Sequence, residues 1–275
     1  MDCVNEMNHI LGSYRRLLGA QVRSQLQYRA SFMLDVFSTA FFTITEFGAL
    51  ALVMTRFQTI DGWTLAEVMF LYGLVELSFG LMDMIFAGFD PVVFGQTIKK
   101  GTFDQFLLRP VSVFWQVLGA DLTLRRIGRI SLGVIILIIA VNLNTIDWTL
   151  VKVLYLPFVI FGMVLFFGGL FVVGSSLTFW TVESVEPMNI FTYGGNFLIS
   201  YPMSIYQDWL RRIFTFVVPA IFLNYYPALY FLGKEDPFNF PYFAHFLAPV
   251  AGLLVFSLAL LFWRFALKHY QSTGS

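Results

Sequence analysis

Charge is scarce in this sequence: 12% of its residues are Asp, Glu, Lys or Arg, against about 25% in a soluble globular domain. The charges present sum to zero, so the chain offers no cationic surface of the kind nucleic acid needs. Cysteine is nearly absent. Cys3 stands alone, which excludes an intramolecular disulfide framework. The histidines, His9, His245 and His269, are too far apart in sequence to read as a metal-ligand motif. No Gly-x-x-x-x-Gly-Lys-Ser/Thr phosphate loop occurs, and the one Gly-Lys pair, Gly233-Lys234, runs on into Glu235-Asp236. A His-Glu-x-x-His zinc helix and a Gly-x-Ser-x-Gly nucleophile elbow are missing too. The first thirty residues hold no short apolar core with a small-residue cleavage site, so no cleavable signal peptide is expected.

Apolar runs fill what remains, with 58% hydrophobic residues along the 275-residue chain. A helix needs about 20 apolar residues to cross a bilayer, and runs of that order recur. The expected fold is all-α, a polytopic membrane protein with six transmembrane helices, organised as one transmembrane domain over residues 1–275. Residues 1–30 do not span. Leu11, Tyr14, Leu18, Val22 and Leu26 form a helical stripe with Arg15, Arg16, Arg23 and Arg29 on other faces, which predicts a helix lying in the interface. Residues 32–55, 65–88, 130–146 and 153–182 are the first four expected spans, the third extended backward by a turn towards Arg125, and 246–267 is the last. The fourth is long for a crossing and is expected to tilt, or to bend near Pro157 or Gly168-Gly169.

Residues 188–233 should cross once, which puts both termini on one side. In one arrangement residues 188–206 span and residues 207–233 form a re-entrant hairpin on the outer side. In the other, residues 212–232 span. Counting Lys and Arg mildly prefers the second. Pro202, Pro219 and Pro227 favour the first, because each interrupts a helix where packed, non-helical backbone is tolerated. Trp209, Tyr206, Tyr225, Tyr226 and Tyr230 cluster there, as interfacial aromatics do.

Residues 90–129 form a polar island between apolar runs. It carries Lys99, Lys100, Arg109, Arg125, Arg126 and Arg129, six of seventeen basic residues, and such an island is held on the cytoplasmic side. Its middle lies between Gly101 and Pro110. Phe103, Phe106 and Leu107 fall at i, i+3 and i+4, giving a short helix one apolar face. Flanking charges keep that face out of lipid, so it is expected to dock on another protein. Within the spans, Glu76 and Asp83 share a helix face, and Glu46 sits at similar depth in the neighbouring helix. Carboxylates at that depth cost about 2.5–3.5 kcal/mol each on insertion scales. They predict a polar cavity or proton relay, or else interhelical bonding with Asp83 held by Arg125 or Arg126. No basic residue is expected at mid-membrane to complete a relay.

Three features together resemble a known family: the segment GTFDQFLLRP from Gly101 to Pro110; Phe179-Trp180 closing the fourth span; and Tyr201 to Tyr206 (YPMSIY), followed by Trp209-Leu-Arg211, Pro219 and Asn224 to Ala228 (NYYPA). The chain resembles the permease subunit of bacterial type-2 ABC exporters without a fused ATPase. The resemblance implies a cytoplasmic coupling helix contacting the ATPase through Gly101, Phe103, Asp104, Phe106, Leu107, Arg109 and Pro110. It implies short outer re-entrant helices carrying Trp209, Arg211, Pro219, Tyr225, Tyr226 and Pro227. It also implies two ATPase subunits holding ATP and Mg, with no cofactor on this chain. The second permease would be the same chain or a related one, and both termini would be cytoplasmic in a bacterial cytoplasmic membrane. The cargo would be lipid-like or amphiphilic, or alternatively a polysaccharide. A rival from the residues alone is an intramembrane enzyme using Glu46, Glu76 and Asp83.

Overall fold

The structure, a computed structural model, describes residues 29–57, 59–121, 124–181 and 186–272, with residues 19 and 27. The expected interfacial helix of residues 1–30 therefore lies almost wholly outside the described residues. In chain order the helices are α1 (Arg29–Arg56), α2 (Leu65–Ile85), α3 (Pro91–Lys99), α4 (Asp104–Leu107), α5 (Val113–Leu118) and α6 (Ile127–Leu143). There follow α7 (Leu150–Thr181), α8 (Glu186–Phe191), α9 (Tyr193–Ile199), α10 (Asp208–Arg212), α11 (Tyr225–Leu232) and α12 (Ala248–Lys268). Among the described residues the only β feature is an isolated bridge between Ile60 and Trp63.

Among the described residues four helices, α1, α2, α7 and α12, are long and apolar enough to cross a membrane. Helix α6 is apolar but has 17 residues. The segment 208–232 is a pair of helices bent by 82° at its break. The expected fifth span, residues 188–206, is not one helix. It divides into α8, α9 and a 3-10 turn, Met203–Ile205. Gly194-Gly195 and Pro202 disfavour one uninterrupted helix there. The third span begins at Ile127, within the expected backward extension, so Arg129 belongs to the helix.

Helix α2 is the axis of the bundle. Thr64 caps it reciprocally with Glu67, a capping box that satisfies two otherwise orphan backbone donors. Glycines bring α6 onto it. A Cβ on Gly73 would sit 2.7 Å from the Leu137 amide nitrogen, and one on Gly133 would sit 2.5 Å from that of Leu77. Small residues allow backbones to approach this closely, which is what replaces hydrophobic drive between helices in lipid. Gly162 and Gly252 do the same for α7 and α12.

Helix α7 runs unbroken through Pro157 and Gly168-Gly169. At about 1.5 Å per residue it exceeds a ~30 Å hydrocarbon core. Its surplus has a use. Phe179, near its C-terminal end, packs beside Phe94 and Phe103 of the polar island, with ring centroids 5.6 and 5.2 Å away. That end is the loop end of the bundle.

At the far end, the Lys234 ammonium donates to the Gly62 carbonyl and the Glu67 carboxylate, at 3.0 and 2.8 Å. The Arg211 guanidinium lies 4.2 Å from the Phe238 ring centroid, and Phe238 lies beside Tyr225. The first limb of the bent pair thus starts, and the second finishes, at the same far end.

Candidate functional site

Two constructions hold polar side chains in places that cost free energy to fill. The first is the polar island. Asp90 caps α3 by accepting from the Val92 amide at 2.9 Å, and Pro91 supplies the preset first turn. After Lys100 the chain turns at Gly101, whose φ of +67° is the left-handed conformation that suits glycine. Phe103 then drops inward. It is fully buried among Phe94, Phe179 and Tyr270. Asp104 accepts from the hydroxyls of Tyr270 and Ser272, at 2.9 and 2.6 Å, and so ties the island to the C-terminal segment. Burial and the Asp104 carboxylate raise the Tyr270 hydroxyl to about 12, so it remains a donor at neutral pH. The Gln116 amide donates to the carbonyls of Phe106 and Val111, at 2.9 and 2.7 Å, which closes the loop between them.

What protrudes is a four-residue tip. Leu107, Leu108, Arg109 and Pro110 are exposed, Leu108 by 84%. Of the apolar face expected at Phe103, Phe106 and Leu107, Phe103 has no surface to offer and Phe106 is half-buried. Leu108 was not among the expected contacts, although it continues the same apolar run. Helix α4 is a single turn, so a reading by i, i+3 and i+4 could not say which of its sides the rest of the chain covers.

The second construction lies midway along α1 and α2. Arg129 donates from Nε and Nη2 to the two oxygens of Glu76, at 2.6 and 2.7 Å, and its guanidinium lies 4.6 Å from the Phe79 ring centroid. Arg126 and Asp83 form an ion pair at 2.7 Å. The expectation that no basic residue reaches this depth is therefore overturned. The signal was present: two arginines a helical turn apart at the start of one apolar run, and two carboxylates two turns apart at the end of the run before it. Long arginine stems absorb the difference in spacing. The interhelical reading of Asp83 holds, with Arg126 as the partner. Glu76 and Asp83 are each tied to a guanidinium, so neither is a free acid or base.

Glu46 is different. It is exposed, and its closest polar neighbour is the Tyr72 hydroxyl at 3.5 Å. Glu46, Tyr72, Glu76, Arg126 and Arg129 border a cavity of about 380 Å³, with Asn196 and Ser200 on its other wall. Asn196 was not anticipated, because nothing in the sequence told that α9 folds back against α2.

The segment with the expected outer aromatics is less uniform than predicted. Trp209 is exposed, but Tyr225 and Tyr226 are buried against Trp63, Phe238 and Phe240. Pro219 ends the first limb, and Pro227 stands in the first turn of α11. Among the described residues no group of three or more His, Cys, Asp or Glu side chains could hold a metal ion.

Compared with known proteins, residues 40–274 match the family described as ABC-2 family transporter protein. No curated protein and no solved structure matches the chain.

Proposed function

The chain belongs to the ABC-2 transporter family, and from that premise we infer that it is the membrane-spanning permease of an exporter, driven by ATP that a separate subunit hydrolyses. It is a multi-pass membrane protein and a transport subunit rather than an enzyme. In this reading it binds no cofactor, and ATP and Mg sit on two partner ATPases. Two permeases, identical or related, complete the assembly in a bacterial cytoplasmic membrane.

The observation that carries the reading is the tip of the polar island. A docking element must transmit movement, so it must be stiff and must still present surface. Leu107 to Pro110 are exposed on a base fixed by the buried Phe103 ring, the Asp104 hydrogen bonds and the Gln116 clamp. Phe103 and Asp104 act as the root, while Leu107, Leu108, Arg109 and Pro110 contact the ATPase. Closure of the ATPases would then move this lever and shift the permease between inward- and outward-facing states.

For topology, we propose six crossings over one membrane unit, with segment 207–233 re-entrant from the outside. Both limbs of the bent pair reach the far end, which supports that reading. The contact of Tyr270 and Ser272 with Asp104 supports a C-terminus on the side of the docking loop. The cargo in this reading is lipid-like or amphiphilic.

The test is a cysteine at Leu108, crosslinked in membranes that also contain the ATPase. Crosslinks to the ATPase are expected, and Leu108→Asp should abolish co-purification while the permease still inserts. Reaction of that cysteine from the outside of sealed cells, or crosslinks to lipid alone, would overturn the assignment.

A further inference from the structure

The cavity between α1, α2 and α9 is unbalanced in charge and in hydrogen bonding. Its ionic groups pair off as Glu76 with Arg129 and, just beside it, Asp83 with Arg126. That leaves one carboxylate, Glu46, in excess. Its hydroxyl donors are already spent: Tyr72 points to Glu46 and the Thr43 carbonyl, Ser200 donates to the Asn196 carbonyl, and Thr39 and Thr43 donate one turn back along α1. Tyr193, also on the wall, donates to Asp90. Two acceptors stand out. Besides Glu46 there is Asn196, more than nine-tenths buried on the cavity wall, whose Oδ1 has no hydrogen-bond partner. An orphaned buried acceptor costs about 1–3 kcal/mol unless a donor arrives. Aromatic rings frame the opening: Phe42 and Phe197 are largely exposed at the rim, with Tyr72 inside.

We propose that this cavity binds a protonated amine carried on an apolar tail, with Glu46 as counter-ion, Asn196 Oδ1 as hydrogen-bond acceptor and Phe42 and Phe197 flanking the tail. An ammonium supplies the counter-charge that Glu46 lacks, with both guanidiniums already paired, and a donor for Asn196 Oδ1, and aromatic faces attract it further. About 380 Å³ is within the range of small-molecule pockets, enough for a headgroup and the first part of a chain. Neutral alcohols leave Glu46 without a counter-charge, and anions would meet it directly. The proposal rests on the permease reading for its meaning, as it names the cargo's chemical class, but the binding itself does not require an ATPase.

The experiment uses the full chain purified in a neutral maltoside detergent and equilibrium dialysis of radiolabelled dodecylammonium. Saturable binding is expected, weakened about tenfold in Glu46→Gln, as loss of one charge-assisted contact implies. Phe42→Leu keeps an apolar side chain but removes the ring, and should weaken binding by a smaller factor. Dodecanol and dodecyl sulfate should not compete. Competition by phosphatidylethanolamine but not phosphatidylcholine would assign the amine to a lipid headgroup, whereas competition by neither would assign it to a free amphiphile. Undiminished binding in Glu46→Gln, equal competition by dodecyl sulfate, or no saturable binding at all would overturn the proposal. Stimulation of the ATPase by the same preparation is read separately, so the cavity proposal and the permease reading can fail independently.

Discussion

Helices α1 and α2 are near twins by composition and strangers by environment. Their most apolar stretches have mean hydropathies of 1.7 and 1.6, and each carries a glutamate near its middle. Yet 11% of the α1 stretch is buried against 78% of the α2 stretch. Glu46 on α1 is exposed, while Glu76 on α2 is clasped by Arg129. Phe37, Phe41, Phe42 and Leu52 of α1 face outward, whereas Phe70 and Phe79 of α2 are fully enclosed. Hydropathy scores a helix for leaving water. It does not distinguish a lipid neighbour from a protein neighbour, since both are apolar. The two glutamates therefore carry different duties. One closes the core, and the other stands exposed beside the Tyr72 hydroxyl.

The sharpest way to break the comparison is to remove each glutamate. Glu76→Ala leaves Arg129 buried without its counter-charge and should cost about 3–5 kcal/mol, seen as a large fall in the thermal unfolding midpoint. Replacing both partners with leucine should recover most of the loss, because the pair's desolvation penalty goes with it. Glu46→Ala should change stability by less than about 0.5 kcal/mol. Equal losses from the two single variants would show that α1 is packed as α2 is.

Glycines offer a gentler contrast. Gly133→Val drives a side chain into the backbone at Leu77 and should cost about 1–3 kcal/mol by overpacking. Gly48→Ala on α1 meets nothing within 4 Å and should be neutral or slightly stabilising, since alanine favours the helix. The same unfolding assay checks both. The smallest effect concerns the island. Tyr270→Phe removes one hydrogen bond to Asp104 and should cost about 1 kcal/mol, and it should loosen the tip enough to speed proteolysis near Leu108.

The polar island shows how a local reading can find a place and still miss its orientation. Gly101 and Pro110 were legible as bounds, because a left-handed turn and a missing amide donor are properties of single residues. Whether Phe103 or Leu108 points outward depends on Phe94, Phe179 and Tyr270, which come from three separate stretches of the chain. Residues 188–206 are broken into pieces for a related reason. Their apolar content suits a span, but Gly194-Gly195 and Pro202 disfavour one continuous helix. The packed pieces are then held by long-range bonds such as that from the Asn224 amide to the carbonyls of Leu71 and Ile199, at 3.2 and 2.7 Å.

From the order of residues alone came the membrane class, the approximate positions of four long helices, the polar loop between the second and third apolar runs, and the likeness to ABC-2 permeases. Those follow from apolar length, from punctuation by Gly, Pro and charge, and from motifs, all of which are written along the chain. The pairing of Arg129 with Glu76, the isolation of Glu46, the burial of Phe103 and the arrival of Asn196 at the cavity were decided by tertiary structure. A charge or a ring has no fixed energy until its neighbours are known, and those neighbours are brought by close helix crossings at Gly73 and Gly133 that no local pattern describes.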